Sequence, residues 1–150
     1  MMKILRFGFI IVVGLTSFIA CNELRGPVTD ERDDGKIHGT LVVSRGKFER
    51  GETVEVTFTI RNISEQQVTL SREDAAVLDL VLTSTPSERR WTDEVGPGLH
   101  ELILESDETY TITWTLEDLD TNVHTIVGYW WDDFREFKAV VSFEYGPARY

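Results

Sequence analysis

Apolar and polar residues alternate with period two over most of the chain beyond residue 36. Val54, Val56, Phe58 and Ile60 interleave with Glu55, Thr57, Thr59 and Arg61, and Tyr110, Ile112, Trp114 and Leu116 interleave with four threonines. Side chains two apart share one face of a strand, so each run buries one face and wets the other. A less regular alternation runs through Leu78-Asp79-Leu80-Val81-Leu82 and through residues 137–143, and β-branched and aromatic residues dominate throughout. Gly, Pro, Asn and Ser punctuate the runs at Arg45-Gly46, Arg50-Gly51, 62–66, Thr85-Pro86-Ser87, Gly96-Pro97-Gly98 and 118–121. The pattern predicts strands at 37–44, 53–62, 67–71, 76–84, 100–104, 108–116, 123–131 and 136–145. Short strands with regular turns imply two packed sheets. The expected fold is therefore all-β, an immunoglobulin-like antiparallel β-sandwich of about eight strands over residues 36–150. A small β-barrel is the alternative. Val56, Phe58, Leu80, Ile112 and Trp114 are expected to face the core.

The first 20 residues follow another rule. Lys3 and Arg6 precede an uncharged apolar run from Phe7 to Ala20, too short for a typical membrane-spanning helix of ~20 residues and suited to an export signal. The single cysteine, Cys21, follows Ile19-Ala20 and resembles the lipidated cysteine of a bacterial lipobox, with Phe18 where Leu is usual. Residues 1–20 are expected to be a lipoprotein signal peptide and Cys21 the lipid attachment point. Residues 21–35, polar and holding Gly26, Pro27 and Gly35, are expected to be a flexible linker. The resulting location is the cell envelope, lipid-anchored and facing away from the cytoplasm. Asn22 after the cysteine points to the outer membrane where a cell has two.

Charge narrows the partners. The chain carries 15 basic and 26 acidic residues, a formal net charge of −11. Nucleic-acid binding depends on cationic side chains displacing counterions, so no nucleic-acid partner is expected.

The unit Val54–Leu70 pairs an alternating strand ending in Asn62 with a tight turn, Ile63-Ser64-Glu65-Gln66, and a short Val68-Thr69-Leu70 strand. Downstream come Leu78–Leu82, Arg90-Trp91-Thr92-Asp93, Leu102–Tyr110 leading to Trp114, and His124–Gly128. This order resembles the intracellular proteinase inhibitor family first known from Bacillus, across roughly Gly51–Trp131. The resemblance implies an immunoglobulin-like fold and inhibition of serine proteases. The export signal departs from the intracellular setting of that family.

Catalytic and metal motifs are sparse. His38, His100 and His124 lack metal-ligand spacing, and no serine sits in Gly-x-Ser-x-Gly. Asp118-Leu119-Asp120-Thr121-Asn122 opens like a calcium loop, but Val123 and Tyr129 stand where an EF-hand needs Gly and Glu. A looser calcium site near Asp118 and Asp120, with Asp132 and Asp133 nearby, stays open; no metal or cofactor is expected. Trp130 and Trp131 must point to opposite faces of their strand, so one is expected in the core, and the other either lies under the tail or a loop or forms an exposed aromatic platform for a protein or sugar contact.

These features point to a non-enzymatic, lipid-anchored binding or accessory domain of the envelope, with an unknown protein partner. Protease inhibition through a loop is its subtype, with segment 84–98 as the longest loop. The candidate contact residues are Arg89, Arg90, Trp91 and Trp131. The rival is an enzyme with an unrecognised carboxylate site.

Overall fold

The computed structural model describes residues 26–84, 86–132 and 135–147. The signal segment and Cys21 lie outside the described residues, as does Asp133. Eleven strands and one short helical turn follow in chain order: β1 (Val28–Asp33), β2 (Ile37–Val43), β3 (Lys47–Glu49), β4 (Val54–Asn62), β5 (Val68–Ser71), β6 (Leu78–Ser84), β7 (Ser87–Arg90), α1 (Trp91–Glu94), β8 (Glu101–Leu104), β9 (Thr109–Leu116), β10 (Asn122–Asp132) and β11 (Arg135–Gly146). One sheet has the order β1-β2-β4-β9 and the other β3-β11-β10-β6-β7, while β5 and β8 pair separately. The fold is an all-β, immunoglobulin-like sandwich.

All eight expected strands are present, with ends moved by a residue or two. Three more were not expected, and each is short or polar. β1 is the clearest difference, because the flexible linker expected to reach residue 35 is a strand from Val28 onward. Its sequence, Val-Thr-Asp-Glu-Arg-Asp, has almost no apolar signal, and its order comes from its neighbours. A tight turn joins it to β2: Gly35 takes φ +92, and the Asp34 carboxylate accepts from the Lys36 and Ile37 amides at 2.8 and 2.6 Å. β1 also reaches across to the other sheet. The Val140 amide donates to Asp30 Oδ2 at 2.8 Å, and Arg32 Nε donates to the Lys138 carbonyl at 3.3 Å, which satisfies backbone groups on that edge of β11. The second difference is direction. β3 runs parallel to the end of β11, so the sandwich is not wholly antiparallel.

The expected core residues Val56, Phe58, Leu80, Ile112 and Trp114 are all buried. Two glycines make room for the largest rings. A Cβ on Gly39 would lie 2.8 Å from Cη2 of Trp130, and one on Gly128 would lie 2.8 Å from Cδ2 of Phe58. Trp130 stacks on Phe137 with centroids 5.4 Å apart and donates its indole N–H to Asp34 at 2.8 Å, so its one polar atom is satisfied.

Asn62, fully buried at the end of β4, explains the Asn-turn-strand unit. Its amide nitrogen donates to the carbonyls of Gln66, Leu104 and Glu105 at 2.7, 3.0 and 3.1 Å, and its oxygen accepts from the amide and hydroxyl of Ser64. One side chain thus closes its own turn and pins the end of β8 to it.

Candidate functional site

The outward positions of β10 are Thr125, Val127, Tyr129 and Trp131, and the ladders on either side put partners beside them. Val127 lies opposite Val81 on β6 and Val140 on β11, while Tyr129 lies opposite Asp79 and Lys138. On β7, Arg90 pairs with Val81 and so joins the same face. The result is an open groove of about 400 Å³ lined by Arg72, Ala75, Val81, Thr83, Glu88, Arg90, Val127, Tyr129, Glu136 and Lys138.

Asp79 anchors one bank. It is 2% exposed although it lies on the outward side of its strand. Its oxygens accept from the Leu80 and Thr92 amides at 2.9 and 3.1 Å and from the Thr92 hydroxyl at 2.8 Å. The Tyr129 hydroxyl donates to it at 3.4 Å and accepts from Arg90 Nη1 at 3.0 Å. Burial, and then the charge of Asp79, raise the Tyr129 pKa above its ordinary value, so this hydroxyl stays protonated and able to bridge. Arg90 Nη2 donates to Glu88 at 2.7 Å. The guanidinium is fixed on a buried acid through a phenol while its outer side faces water.

Arg72 lines the other bank and lies over Trp131. That tryptophan is half-buried, and the Arg72 guanidinium lies 4.1 Å from its ring centroid, a cation–π contact. Its indole N–H is buried and has no hydrogen-bond partner among the described residues. Arg72 is held further by Asp74, which accepts from its Nε at 2.9 Å. Lys138 is ion-paired with Glu136 beside it.

Of the four contact candidates, the structure brings Arg90 and Trp131 to one face and places Arg89 and Trp91 elsewhere. Arg89 points toward the sandwich edge, where its Nε and Nη2 donate to both oxygens of Glu94 at 2.6 and 2.8 Å and its guanidinium covers Trp114 at 5.8 Å. The Arg89 hydrogen bond holds the Glu94 carboxyl below its ordinary pKa despite partial burial, with a smaller contribution from the Trp114 indole N–H. Trp91 packs on the core and donates its indole N–H to the Thr113 carbonyl at 3.1 Å. These two residues fasten α1 to β9. The segment expected as a long loop at 84–98 is instead β7, hydrogen-bonded to β6, followed by α1.

The remaining candidates are dispersed. His38 Nε2 is 3.8 Å from Glu31, His100 lies on the Arg72 carbonyl, and buried His124 donates to the Asp120 carbonyl at 2.8 Å. Asp118 takes φ +53 in the turn before β10. Among the described residues no three His, Cys, Asp or Glu side chains are grouped to hold a metal ion. Asp132 pairs with Lys36 at 3.5 Å at the opposite end of β10. Sequence reasoning missed Asp79, Arg72 and Tyr129. The readable signal was Asp79, an acid set between leucines inside an apolar run, which marks a buried polar group in need of partners.

No family model matches the chain, and no curated protein matches it. Among solved structures, it is similar to a β-glucosidase from Listeria innocua at 16% identity and a TM-score of 0.45, covering 72% of this chain and 16% of that one. A β-glucosidase from Erythrobacter marinus aligns at 11% identity and 0.44, covering 79% and 15%. An alkylpurine DNA glycosylase from Pseudomonas fluorescens, solved bound to DNA with an abasic site analog, aligns at 16% and 0.44, covering 69% and 28%. The chain spans less than a third of each of these proteins. At such scores, none of the likenesses bears on what this chain does.

Proposed function

We propose that the protein is a non-enzymatic binding module of the cell envelope, anchored by lipid at Cys21, that engages a protein partner through the outer face of its five-stranded sheet. The observation that carries this reading is the groove between Arg90 on Tyr129 and Arg72 on Trp131, where aromatic and guanidinium groups stand fixed and open to solvent. Such groups dominate protein interfaces. The nearby carboxylates are engaged in structure: Asp79 holds Thr92 and Leu80, and Glu94 holds Arg89 and Trp114. That favours recognition over a carboxylate active site. It also weighs against insertion of segment 84–98 into a protease cleft, since that segment is paired with β6 and tied down by its arginines. Among the described residues no helix is long and apolar enough to cross a membrane.

Two measurements test it. Cys21→Ser should release the protein from membranes and abolish incorporation of labelled fatty acid; equal fractionation of variant and wild type would remove the anchor. A photo-crosslinking residue at Thr83 should capture a partner in intact cells while one at Thr57, on the other sheet, should not. Equal capture at both positions would remove the five-stranded face as the contact.

A further inference from the structure

We infer that the groove between Arg72 and Arg90 binds a carboxylate presented by a mixed acidic and neutral polypeptide segment of the partner. The inference rests on the binding-module reading and names the chemistry of its site. The charge distribution is the first argument. The chain carries a net −11, yet the groove lining holds three cations, Arg72, Arg90 and Lys138, against Glu88 and Glu136. Asp74 and Asp79, which hold Arg72 and Arg90, bring the local count to three cations against four carboxylates, far nearer balance than the chain as a whole, so an approaching anion is repelled less there than over the acidic surface at large.

Unspent donors supply the second argument. Arg72 commits Nε to Asp74 and lays its plane on Trp131, so both of its Nη groups donate no hydrogen bond among the described residues. Arg90 commits one N–H to Tyr129 and one to Glu88, which leaves Nε–H and one N–H on each Nη. A guanidinium presents five N–H donors in a planar fork that matches a carboxylate. Both forks are already held in place, so little side-chain freedom is lost when a carboxylate docks. Val81, Val127 and Ala75 give the floor an apolar patch for the segment's neutral side chains.

The two glutamates select among anions. A polyuronate or an array of phosphates would bring uniform negative charge against Glu88, Glu136 and the acidic body. A single carboxylate flanked by neutral residues meets the guanidiniums and avoids that repulsion.

The test uses the full-length protein in mild detergent, titrated by calorimetry with a short peptide that alternates glutamate and alanine. The same peptide with glutamine, polygalacturonate and inorganic phosphate serve as the other arms. The glutamate peptide should bind at least about tenfold tighter than the glutamine peptide, in line with loss of a charge-assisted hydrogen bond, and should shift the indole N–H resonance of Trp131. Arg72→Gln and Arg90→Gln should each weaken it by about tenfold, with Arg72→Lys between wild type and Arg72→Gln. Should Arg90→Gln disturb folding through Asp79, Arg72→Gln carries the test, since Arg72 lies outside the strands. Equal binding of the two peptides, wild-type affinity in the Arg72→Gln variant, or tighter binding of polygalacturonate or phosphate would each overturn the inference. Capture of a partner at Thr83 without any preference for the glutamate peptide would overturn the carboxylate while leaving the binding module intact.

Discussion

On the outer face of the four-stranded sheet, Thr57 lies opposite Thr113 and Thr59 opposite Thr111, whereas on the outer face of the five-stranded sheet Tyr129 lies between Asp79 and Lys138. Both faces come from the same period-two alternation. The first is a threonine ladder edged by Glu55 and Arg61, with hydroxyls such as those of Thr59 and Thr111 in contact at 2.9 Å. Such a surface is readily hydrated and presents no aromatic anchor. The second buries a carboxylate on its outward side, lays one guanidinium over the Trp131 ring and hydrogen-bonds another to the Tyr129 hydroxyl. Solubility requires nothing of that kind from an outer face, and a buried acid is costly unless every partner is supplied. The difference separates a face of hydrated hydroxyls from one that uses a buried acid to fix a phenol and an arginine in place.

The comparison has force only if the strands keep their register, and the core tests that most severely. Phe58→Ala should cost roughly 3–5 kcal/mol through the cavity it opens beside Trp130. Gly128→Ala should also destabilise, because its new methyl group meets the Phe58 ring. In the Phe58→Ala background the same change should cost less, since the space is then vacant. Chemical denaturation of the two single variants and the double variant measures that coupling. Additive losses would mean that Gly128 and Phe58 do not meet.

The next effect concerns the turn that joins the four-stranded sheet to the β5–β8 pair. Asn62→Ala removes the donor to three carbonyls and the acceptor for Ser64, and a buried group left without its partner costs ~1–3 kcal/mol. Asn62→Asp should be at least as damaging, because a carboxylate oxygen would face those carbonyls. A stability unchanged in Asn62→Asp would show that the Leu104 and Glu105 carbonyls do not depend on this side chain.

How far these features were readable from sequence follows the physics of each. Alternation marked every strand that buries a face, along with the inward residues of β4 and β9, because burial is a one-dimensional signal at period two. β1, β3 and β7 escaped because strands of three to six largely polar residues are ordered by their neighbours' edges. The opposite facing of Trp130 and Trp131 was legible from parity alone, and Trp130 is the one in the core. The placement of Arg89 and Arg90 was not. Their adjacency suggested one charged loop, and only the pairing of β7 with β6 sends Arg90 to the groove and Arg89 to Glu94.

That split between neighbouring arginines predicts a pH dependence of its own. Glu94 has a folded-state pKa below the ordinary value of 4.5, chiefly through Arg89. A depressed carboxylate contributes stability above its unfolded pKa and loses it as pH falls through the folded value. Arg89→Gln should therefore lower the melting temperature slightly at neutral pH, with the gap to wild type closing below about pH 4.5. The pair is partly solvated, so the contribution stays within ~1 kcal/mol. A gap that persists undiminished at pH 3 would mean that Arg89 acts through its packing on Trp114 instead.

The smallest expected effect returns to the threonine face. Thr57 points outward, and its side chain makes no hydrogen bond among the described residues, so Thr57→Ala removes little beyond a β-branched group from a strand. The change should stay within about 0.5 kcal/mol by chemical denaturation. The residues on either side of Thr57, Val56 and Phe58, are both fully buried, so a register error of one would exchange their role with that of Thr57. Thr57 would then enter the core while Phe58 left it, and the larger loss would move from position 58 to position 57. A loss at position 57 equal to or above that at 58 would contradict the pairing of Thr57 with Thr113 and, with it, the assignment of the threonine ladder to the outer face. A near-zero loss at 57 beside a large one at 58 keeps the two outer faces as distinct as the structure draws them.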